Sequence, residues 1–404
     1  MAYNVLMLFF IILSFFDVFI VKSKKKKKLI LILIFIIYLF FFGLRGFISW
    51  DWKGYYPHFI NTIPLYDIFQ YKGISFNKNY TNFEIGYQIW VSFLRMFFDN
   101  WNTYLFFTTM IDISCLLVIF YKYSPYPVFS ILLFLGFNGM QIQLDLMRNF
   151  KSMLIFLFSI EYLINKKYIK YLTFNMIGIF IHRSYLIYII VGYFFKKNFY
   201  KYKNLLLSFF LFGVFFFLFS HNLLYEILNF IKEAFIKFNI YNSISEKLEY
   251  YLSNSYSNSR GIGIGFLERI LSFILFYIYR KKINKDKYGK IFFNIFLFYI
   301  FSYLYGSGIR IIFERLGLLF ICSYWIIYPI ILKNTLKLNK ILIFIFLIVL
   351  CNLKINVDIA FNKKSKELHQ YKNILWNKEI YEEKIIIFNK VLERFDRSKK
   401  REQN

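Results

Sequence analysis

The chain of 404 residues is 58% hydrophobic, holds 56 Phe and 35 Tyr, and carries a formal net charge of +28. Its mean hydropathy of +0.48 and its repeated apolar runs of roughly 15–20 residues exclude a soluble protein with a single core and are typical of membrane-spanning helices. The lysines cluster in short tracts between the runs, as in cytoplasmic membrane loops, and no nucleic-acid-binding motif accompanies them. We therefore expect membrane lipids, and no nucleic acid, as partners. The abundance of Ile, Lys, Asn, Phe and Tyr indicates an AT-rich bacterial coding sequence.

The first apolar run ends in the lysine tract "VKSKKKKKL" rather than in a small-residue cleavage site, so we expect it to remain in the chain as a span. The cysteines Cys115, Cys322 and Cys351 all lie in apolar stretches and predict neither a disulfide framework nor a metal set. The chain has no HExxH or CxxC motif, and its histidines lack metal-ligand spacing. We therefore expect no metal and no cofactor.

The apolar runs predict an all-α membrane domain over residues 1–353 with about twelve spans. The runs lie at 3–21, 29–43, 103–121, 126–143, 150–165, 169–181, 184–195, 205–220, 263–279, 291–305, 317–332 and 340–353. The positive-inside rule places the basic tracts in the cytoplasm and both termini outside. These tracts lie at 22–28, 122, 166–170, 196–203, 280–290 and 333–340.

Two segments need separate treatment. A full crossing by 84–98, "EIGYQIWVSFLRMFF", would put Lys122 outside. Because this segment is short, amphipathic and headed by a glutamate, we predict that it is re-entrant or lies at the outer interface. The polar tail 354–404 carries several lysines and is predicted to be periplasmic, since long terminal segments partly escape the positive-inside bias.

This topology gathers many charged or ionisable side chains at the outer face, although none of them was used to derive it. They are Arg45, Asp51, Glu84, Arg148, His182, Arg183, Arg310, Glu314 and Arg315. The outer face should be poor in arginine, so arginines gathered there indicate a function. The outer segments 44–83 and 221–262 are long enough to cover a site. The second is rich in Ser, Asn and Tyr, which suits a mobile, sugar-compatible loop.

Arg148 lies in "QIQLDLMRNFKSML", at the outer start of a predicted span. A charge within a span costs at least ~2.5 kcal/mol on insertion scales, so such a residue is a functional candidate. The alternatives are an interfacial anchor or an ion pair with Asp145, one turn earlier.

His182 lies in "IFIHRSYLI", at the tip of a tight hairpin between two spans, where Arg183 and Ser184 make the tip polar. Histidine can accept a proton near neutral pH, so His182 is a candidate general base. The alternative is a histidine bound to backbone carbonyls at a helix end.

A third cluster lies in "GSGIRIIFERLGLL". Arg310 and Glu314 are one turn apart and could simply pair, but Arg310 and Arg315 together could also clamp an anion, because a guanidinium matches phosphate oxygens bidentately. For the adjacent Glu268 and Arg269 we favour a structural pair. Asp17 and Asp112 lie within predicted spans and suggest no role.

Four quoted stretches resemble the EpsG/Wzy-like family of polysaccharide polymerases over roughly residues 40–200. The family pattern is a Gly-Leu-Arg leaving a span, an Asp-x-x-x-Tyr, a Glu-x-Gly-aromatic, an Arg opening a later span and a His-x-Ser hairpin. The matching positions are Gly43-Leu44-Arg45, Asp51 with Tyr55, Glu84-Ile85-Gly86-Tyr87, Arg148, and His182-Arg183-Ser184. Looser similarities follow at "IRIIFER" and at "YKNIL", and Lys151 departs from the small residues that the family often has after the arginine.

The resemblance implies a polymerase of the bacterial inner membrane that joins undecaprenyl-pyrophosphate-linked repeat units into O-antigen or a related surface polysaccharide at the periplasmic face. The implied fold is that of the glycosyltransferase C superfamily or its polymerase/ligase branch, with outer loops over a periplasmic cavity. The lipid-linked glycans would be donor and acceptor, and a chain-length regulator is conceivable as a further partner.

Breaking a sugar–pyrophosphate bond develops negative charge on the leaving group, which fixed cations stabilise. We expect Arg148, Arg310 and Arg315 to do this without a metal, with Arg45 in support. His182, or else Asp51 or Glu84, would accept the proton of the acceptor hydroxyl. The remaining candidates for substrate binding are Arg183, Glu314 and Tyr55.

Three alternatives stay open. An O-antigen ligase would share the arginines and the histidine but transfer glycan to lipid A core. A lipid-linked oligosaccharide flippase would be a transporter, with charges distributed along a central cavity. A metal-dependent glycosyltransferase would need an acidic pair in the first outer loop, where Asp51 stands alone.

Overall fold

The computed structural model of the protein describes residues 2–70, 83–219, 221–237, 262–306, 310–357, 365–377 and 379–403. Its regular secondary structure in these ranges is helical, apart from an isolated bridge between Arg45 and Asn373. The all-α class is therefore confirmed for this part of the chain. Two compact units are present, Met1–Ile190 with Ile341–Asn404 (unit 1) and Val191–Lys340 (unit 2), and each is described by itself.

The helices follow one another with short connections. The first ten are α1 (Ala2–Ile20), α2 (Lys24–Tyr38, continued by a π-helical turn Leu39–Gly43), α3 (Trp52–Asn61), α4 (Leu65–Gln70), α5 (Ile85–Arg95), α6 (Trp101–Tyr123), α7 (Pro127–Leu144), α8 (Met147–Ile164), α9 (Tyr168–Ile181) and α10 (Leu186–Phe195). Unit 2 continues with α11 (Lys203–Phe219), α12 (His221–Lys237), α13 (Ile264–Lys285), α14 (Gly289–Tyr305), α15 (Arg310–Phe320) and α16 (Cys322–Lys333). The chain closes with α17 (Lys337–Ile355), α18 (Lys366–His369) and α19 (Tyr381–Gln403).

The predicted apolar runs fall on these helices throughout the described ranges. By length and composition, four helices are able to cross a membrane: α1, α6, α7 and α17. The protein is thus a membrane protein, while the total of twelve spans stays a prediction. Helix α5, in the segment set apart above, has 11 residues and is about 16 Å long, roughly half the hydrocarbon thickness of a bilayer. It is too short to cross.

Asp17, which suggested no role, joins the basic ends of three helices in unit 1. Its carboxylate lies 2.8 Å from Nζ of Lys27 and accepts hydrogen bonds from the backbone N–H groups of Val128 (2.9 Å) and Phe129 (3.4 Å). Nζ of Lys27 also donates to the carbonyl of Pro125. A negative charge at a helix N-terminus is favourable, so Asp17 fixes the start of α7 against α1 and α2.

Asp112 of α6 forms a buried ion pair with Lys151 of α8. Nζ of Lys151 lies 2.9 Å from both carboxylate oxygens, and it also faces the ring of Trp90 at 5.0 Å. Both charged side chains are less than 10% exposed. The departure from the family pattern at Lys151 is thereby explained, because the lysine neutralises a carboxylate on the neighbouring helix one turn after Arg148.

The tail belongs to unit 1 and packs on the segment that follows α2. Hydrogen bonds join the two: Gly46 N to Lys372 O (3.0 Å), Ser49 N to Leu368 O (2.9 Å), Ile374 N to Leu44 O (2.9 Å) and Phe47 N to Glu379 Oε2 (2.7 Å). A Cβ on Gly46 would collide with the carboxylate of Glu379, so glycine permits this approach. The tail therefore lies at the same end of unit 1 as Arg45, which is the end opposite the basic tracts.

Unit 2 packs α11, α13, α14 and α16 around aromatic side chains. The predicted pair of Glu268 and Arg269 is present, with 3.9 Å between Oε2 and Nη1. The guanidinium of Arg269 also lies over the rings of Tyr299 (4.9 Å) and Tyr303 (4.2 Å), and both acidic and basic side chains are buried from water. This supports the structural reading of the pair.

We expect Lys151→Met to lower the thermal unfolding temperature of the purified protein in detergent, since it leaves Asp112 buried without its cation, a loss of about 3–5 kcal/mol. The double variant Asp112→Leu/Lys151→Met should recover much of this loss. Lys122→Met is the matched control, because Lys122 pairs with Glu161 at the surface and should contribute less than about 1 kcal/mol. Equal shifts for Lys151→Met and the control would contradict the assignment.

Candidate functional site

The short segment between α2 and α3 is held in place by one buried carboxylate, that of Asp145. Oδ2 of Asp145 accepts from the hydroxyl of Ser49 at 2.6 Å, and Oδ1 accepts from the backbone N–H groups of Trp50 (2.8 Å) and Asp51 (3.1 Å). Ser49 adopts φ 74°, a left-handed conformation that non-glycine residues rarely take. Asp145 thus stabilises a strained turn and places Trp50 and Asp51 at the start of α3. It does not form the pair with Arg148 considered above.

Arg45 is 3% exposed and lies inside unit 1. Its guanidinium donates to the carbonyls of Phe42 and Gln143 and to the hydroxyl of Thr109. Burial lowers the pKa of Arg45 to about 10, which still leaves it charged at neutral pH. These contacts tie the end of α2 to α6 and α7 and favour a structural role. The substrate contact predicted for Arg45 stays a prediction.

Gly86 lets the N-terminus of α5 approach the C-terminus of α9. A Cβ at this position would stand 2.7 Å from the carbonyl carbon and oxygen of Phe180 and 3.0 Å from the nitrogen of Ile181. These are backbone atoms that cannot move aside, so any side chain would push the two helices apart. The glycine of the Glu-x-Gly motif therefore brings Glu84, which precedes α5, to His182, which follows α9.

The carboxylate of Glu84 joins two of the predicted catalytic residues. Nη1 of Arg148 lies 2.5 Å from Oε2, and Nδ1 of His182 lies 3.0 Å from Oε1. The backbone N–H of Arg183 also donates to Oε1, at 3.3 Å. Burial alone would raise the pKa of Glu84, but the hydrogen bond with His182 and the charge of Arg148 outweigh it and lower this pKa to about 2. Glu84 is therefore ionised at neutral pH.

Aromatic side chains surround Arg148. Its guanidinium carbon lies 4.2 Å from the centre of the Phe83 ring, and its side chain forms a hydrogen bond with the hydroxyl of Tyr55. Burial raises the pKa of Tyr55 to about 12, so that this hydroxyl stays protonated. Burial and the nearby charge of Arg148 lower the pKa of His58 to about 4, so His58 is neutral. The positive charge of Arg148 is thus held by one carboxylate among uncharged neighbours.

A cavity of about 380 Å³ opens beside this cluster. Its lining consists of Trp50, Asp51, Lys53, Gly54, Tyr55, Phe83 and Arg148. Three of these residues, Asp51, Tyr55 and Arg148, were predicted from the sequence, although Arg148 follows Asp51 by almost a hundred positions. Lys53, Trp50 and Phe83 were not predicted as site residues. The signal for Trp50 and Lys53 was available in "SWDWKGYY", because they flank Asp51 there.

The remaining candidates are distributed differently. The side chain of Arg183 is exposed at the start of the turn that leads into α10. Arg315 is exposed on α15 in unit 2. The side chains of Arg310 and Glu314 lie outside the described residues, as does most of the predicted loop 221–262. The roles of these residues stay predictions.

The arrangement at Glu84 provides two chemical functions side by side. Arg148 presents a fixed cation to the cavity and can stabilise negative charge on a bound group. A carboxylate at Nδ1 of His182 favours the tautomer that leaves Nε2 able to accept a proton, as in other carboxylate–imidazole pairs. Within the described ranges, no group of three His, Cys, Asp or Glu residues is placed to hold a metal ion.

We expect Gly86→Ala to abolish most of the activity, because the added methyl separates α5 from α9 and pulls Glu84 away from His182. The matched control is Gly178→Ala on α9, where an added Cβ would meet its nearest neighbour at an ordinary 3.8 Å. Both variants should be compared by thermal unfolding and by product formation. Full activity of Gly86→Ala would contradict the importance of the close approach.

A model of the EpsG family matches residues 28–373 of the chain. The match begins at the start of α2 and ends within the tail, so it includes every residue that lines the cavity. No curated protein and no solved structure matches the chain significantly. Family membership supports a role of the polysaccharide-polymerase kind, and the sequence resemblance described above is confirmed. The chain belongs to the EpsG family.

Proposed function

We propose that this protein is a glycosyltransferase that polymerises surface polysaccharide. It would join undecaprenyl-pyrophosphate-linked oligosaccharide repeat units into O-antigen or a related glycan at the periplasmic face of the bacterial inner membrane. Family membership supports the polymerase class, and the apolar helices support the membrane location. The observation that carries the proposal is the cluster of Glu84, Arg148 and His182 beside a cavity with aromatic and charged walls.

In the proposed reaction, a hydroxyl oxygen of the acceptor glycan attacks the anomeric carbon of the donor sugar. The new glycosidic bond forms as the bond between this carbon and the pyrophosphate oxygen breaks. Undecaprenyl pyrophosphate leaves with the electron pair, and the hydroxyl proton passes to a base. Arg148 stabilises the negative charge on the departing diphosphate, because its guanidinium is fixed before the substrate arrives and needs no reorganisation.

His182 is the proposed base. Its Nδ1 is engaged by the ionised carboxylate of Glu84, which orients the ring and stabilises the imidazolium that forms when Nε2 takes the proton. Glu84 itself is a poor base, since its pKa of about 2 makes proton uptake unfavourable at neutral pH. Asp51 lines the cavity with an exposed carboxylate and is the second candidate for this step.

We expect Arg148→Lys to lower the rate of chain extension about 100-fold, because an ammonium cannot reproduce the planar, multidentate contacts of a guanidinium around a diphosphate. The measurement is the turnover of purified enzyme on a lipid-linked repeat unit, read from the ladder of products. Arg95→Lys is the control. Arg95 lies over Phe59 and donates to the carbonyl of Thr62, away from the cavity lining. A fully active Arg148→Lys enzyme would remove the guanidinium from the mechanism.

His182→Ala and Glu84→Gln should each reduce kcat strongly, and the double variant should be little worse than either, because the two residues act as a unit. Thr173→Ala, a change at an exposed position on α9, should leave kcat unchanged. Additive losses in the double variant would show that His182 and Glu84 act separately. Chain growth by His182→Ala at the normal rate would make Asp51 the better candidate for the base.

The class of enzyme can be tested in the bacterium by replacing the gene with an Arg148→Ala allele. Loss of a polymerase leaves single repeat units on lipopolysaccharide. Loss of a ligase leaves none, and loss of a flippase leaves lipid-linked intermediates at the cytoplasmic face. We expect the first pattern. Either of the other two would overturn the proposal.

A further inference from the structure

Helix α19 forms the backing of the cavity wall through one side chain, Phe388. The ring of Phe388 is 6% exposed. Its centre lies 5.7 Å from the centre of Trp50 and 5.8 Å from that of Trp52, and it lies 4.6 Å from Nζ of Lys53. Three consecutive ring or cation contacts along the start of α3 therefore depend on a residue more than 330 positions later in the sequence.

Lys53 is a cation of the cavity that keeps its charge available. Its side chain is exposed and lines the cavity, and among the described residues it forms no ion pair. In contrast, Arg148 is bound to Glu84. A cation–π contact with Phe388 restrains the ammonium while leaving its hydrogen-bond donors without a carboxylate. Lys53 is thus suited to bind an anionic group of a ligand.

Trp50 supplies a flat apolar surface next to this cation. It is half-buried, lines the cavity, and is held in edge-on or tilted contacts by Phe388, by Phe395 at 5.8 Å and by His369 at 6.3 Å. All three neighbours come from the tail. A tryptophan immobilised in this way offers a large contact area at low entropic cost to a ring with an apolar face, such as a pyranose.

We propose that Lys53 and Trp50 form a subsite for a sugar pyrophosphate and that Phe388 is the positioning residue that holds both. Lys53 binds a phosphate oxygen, and Trp50 packs against the adjoining sugar ring. The cavity volume of about 380 Å³ lies within the range of small-molecule sites, roughly 300–1,000 Å³. This assignment rests on the proposed function, and it names a binding determinant that includes α19, which lies beyond the family-matched residues 28–373.

The test compares Lys53→Met, Phe388→Ala, Phe388→Tyr and Ile386→Ala in two assays on full-length protein in detergent. Binding of inorganic pyrophosphate is measured by calorimetry, and chain extension is measured as KM and kcat for a lipid-linked repeat unit. Ile386 is the control on the same helix, with a side chain that is 55% exposed. Thermal unfolding of each variant identifies any that fails to fold.

We expect Lys53→Met to weaken pyrophosphate binding and to raise KM about tenfold, as for the loss of a hydrogen bond to a charged group. Phe388→Ala should raise KM about three- to fivefold with kcat nearly unchanged. Phe388→Tyr, which keeps the ring, should restore KM, and Ile386→Ala should match the unmodified protein. An effect of Phe388→Ala on kcat alone, or the same KM change in Phe388→Tyr, would overturn the positioning role.

The two assays separate this inference from the proposed function. Pyrophosphate binding that depends on Lys53 without any chain extension would contradict the polymerase activity and leave the subsite intact. Chain extension with an unchanged KM in both Lys53→Met and Phe388→Ala would contradict the subsite and leave the polymerase activity intact.

Discussion

The interaction on which the candidate site depends is the double engagement of one carboxylate. Glu84 holds a guanidinium on one oxygen and an imidazole on the other, so a cation for the leaving group and a base for the acceptor stand at fixed separation. A buried carboxylate with a single partner would carry a desolvation penalty that is hard to offset. Here the two partners together keep Glu84 ionised, and the glycine two positions later makes the meeting sterically possible. Charge neutralisation and helix packing are therefore the same requirement at this point of the fold.

Much of the helical architecture could be predicted from the sequence, because apolar runs and lysine tracts report directly on spans and their ends. The short segment at α5 could also be identified, since an additional crossing violates the alternation of basic tracts. Individual site residues were predictable where a charge interrupts an apolar run, as at Arg148, or where a polar tip joins two spans, as at His182. These signals are local in the sequence.

The pairing of those residues could not be predicted. Glu84 is separated from Arg148 by 64 positions and from His182 by 98, and nothing in a local pattern specifies which acid meets which base. The same limit applies to Asp17 and Asp112, whose partners lie on other helices, and to Asp145, which supports a strained turn rather than the nearest arginine. Arg45 illustrates the opposite case. Its position at the end of a span indicated a substrate contact, yet its guanidinium is occupied by buried oxygen atoms of its own unit.

The packing of the tail on the first turn after α2 has a consequence for biosynthesis. The backbone of residues 44–49 hydrogen-bonds to residues 368–379, and the aromatic support of Trp50 comes from α18 and α19. Contacts between such distant parts of a chain form late, because a long loop must close first. During ribosomal synthesis, the entrance to the reaction chamber therefore stays unfinished until the last helix emerges. A nascent polypeptide already threaded into the bilayer is in this way kept from acting on lipid-linked sugars before release.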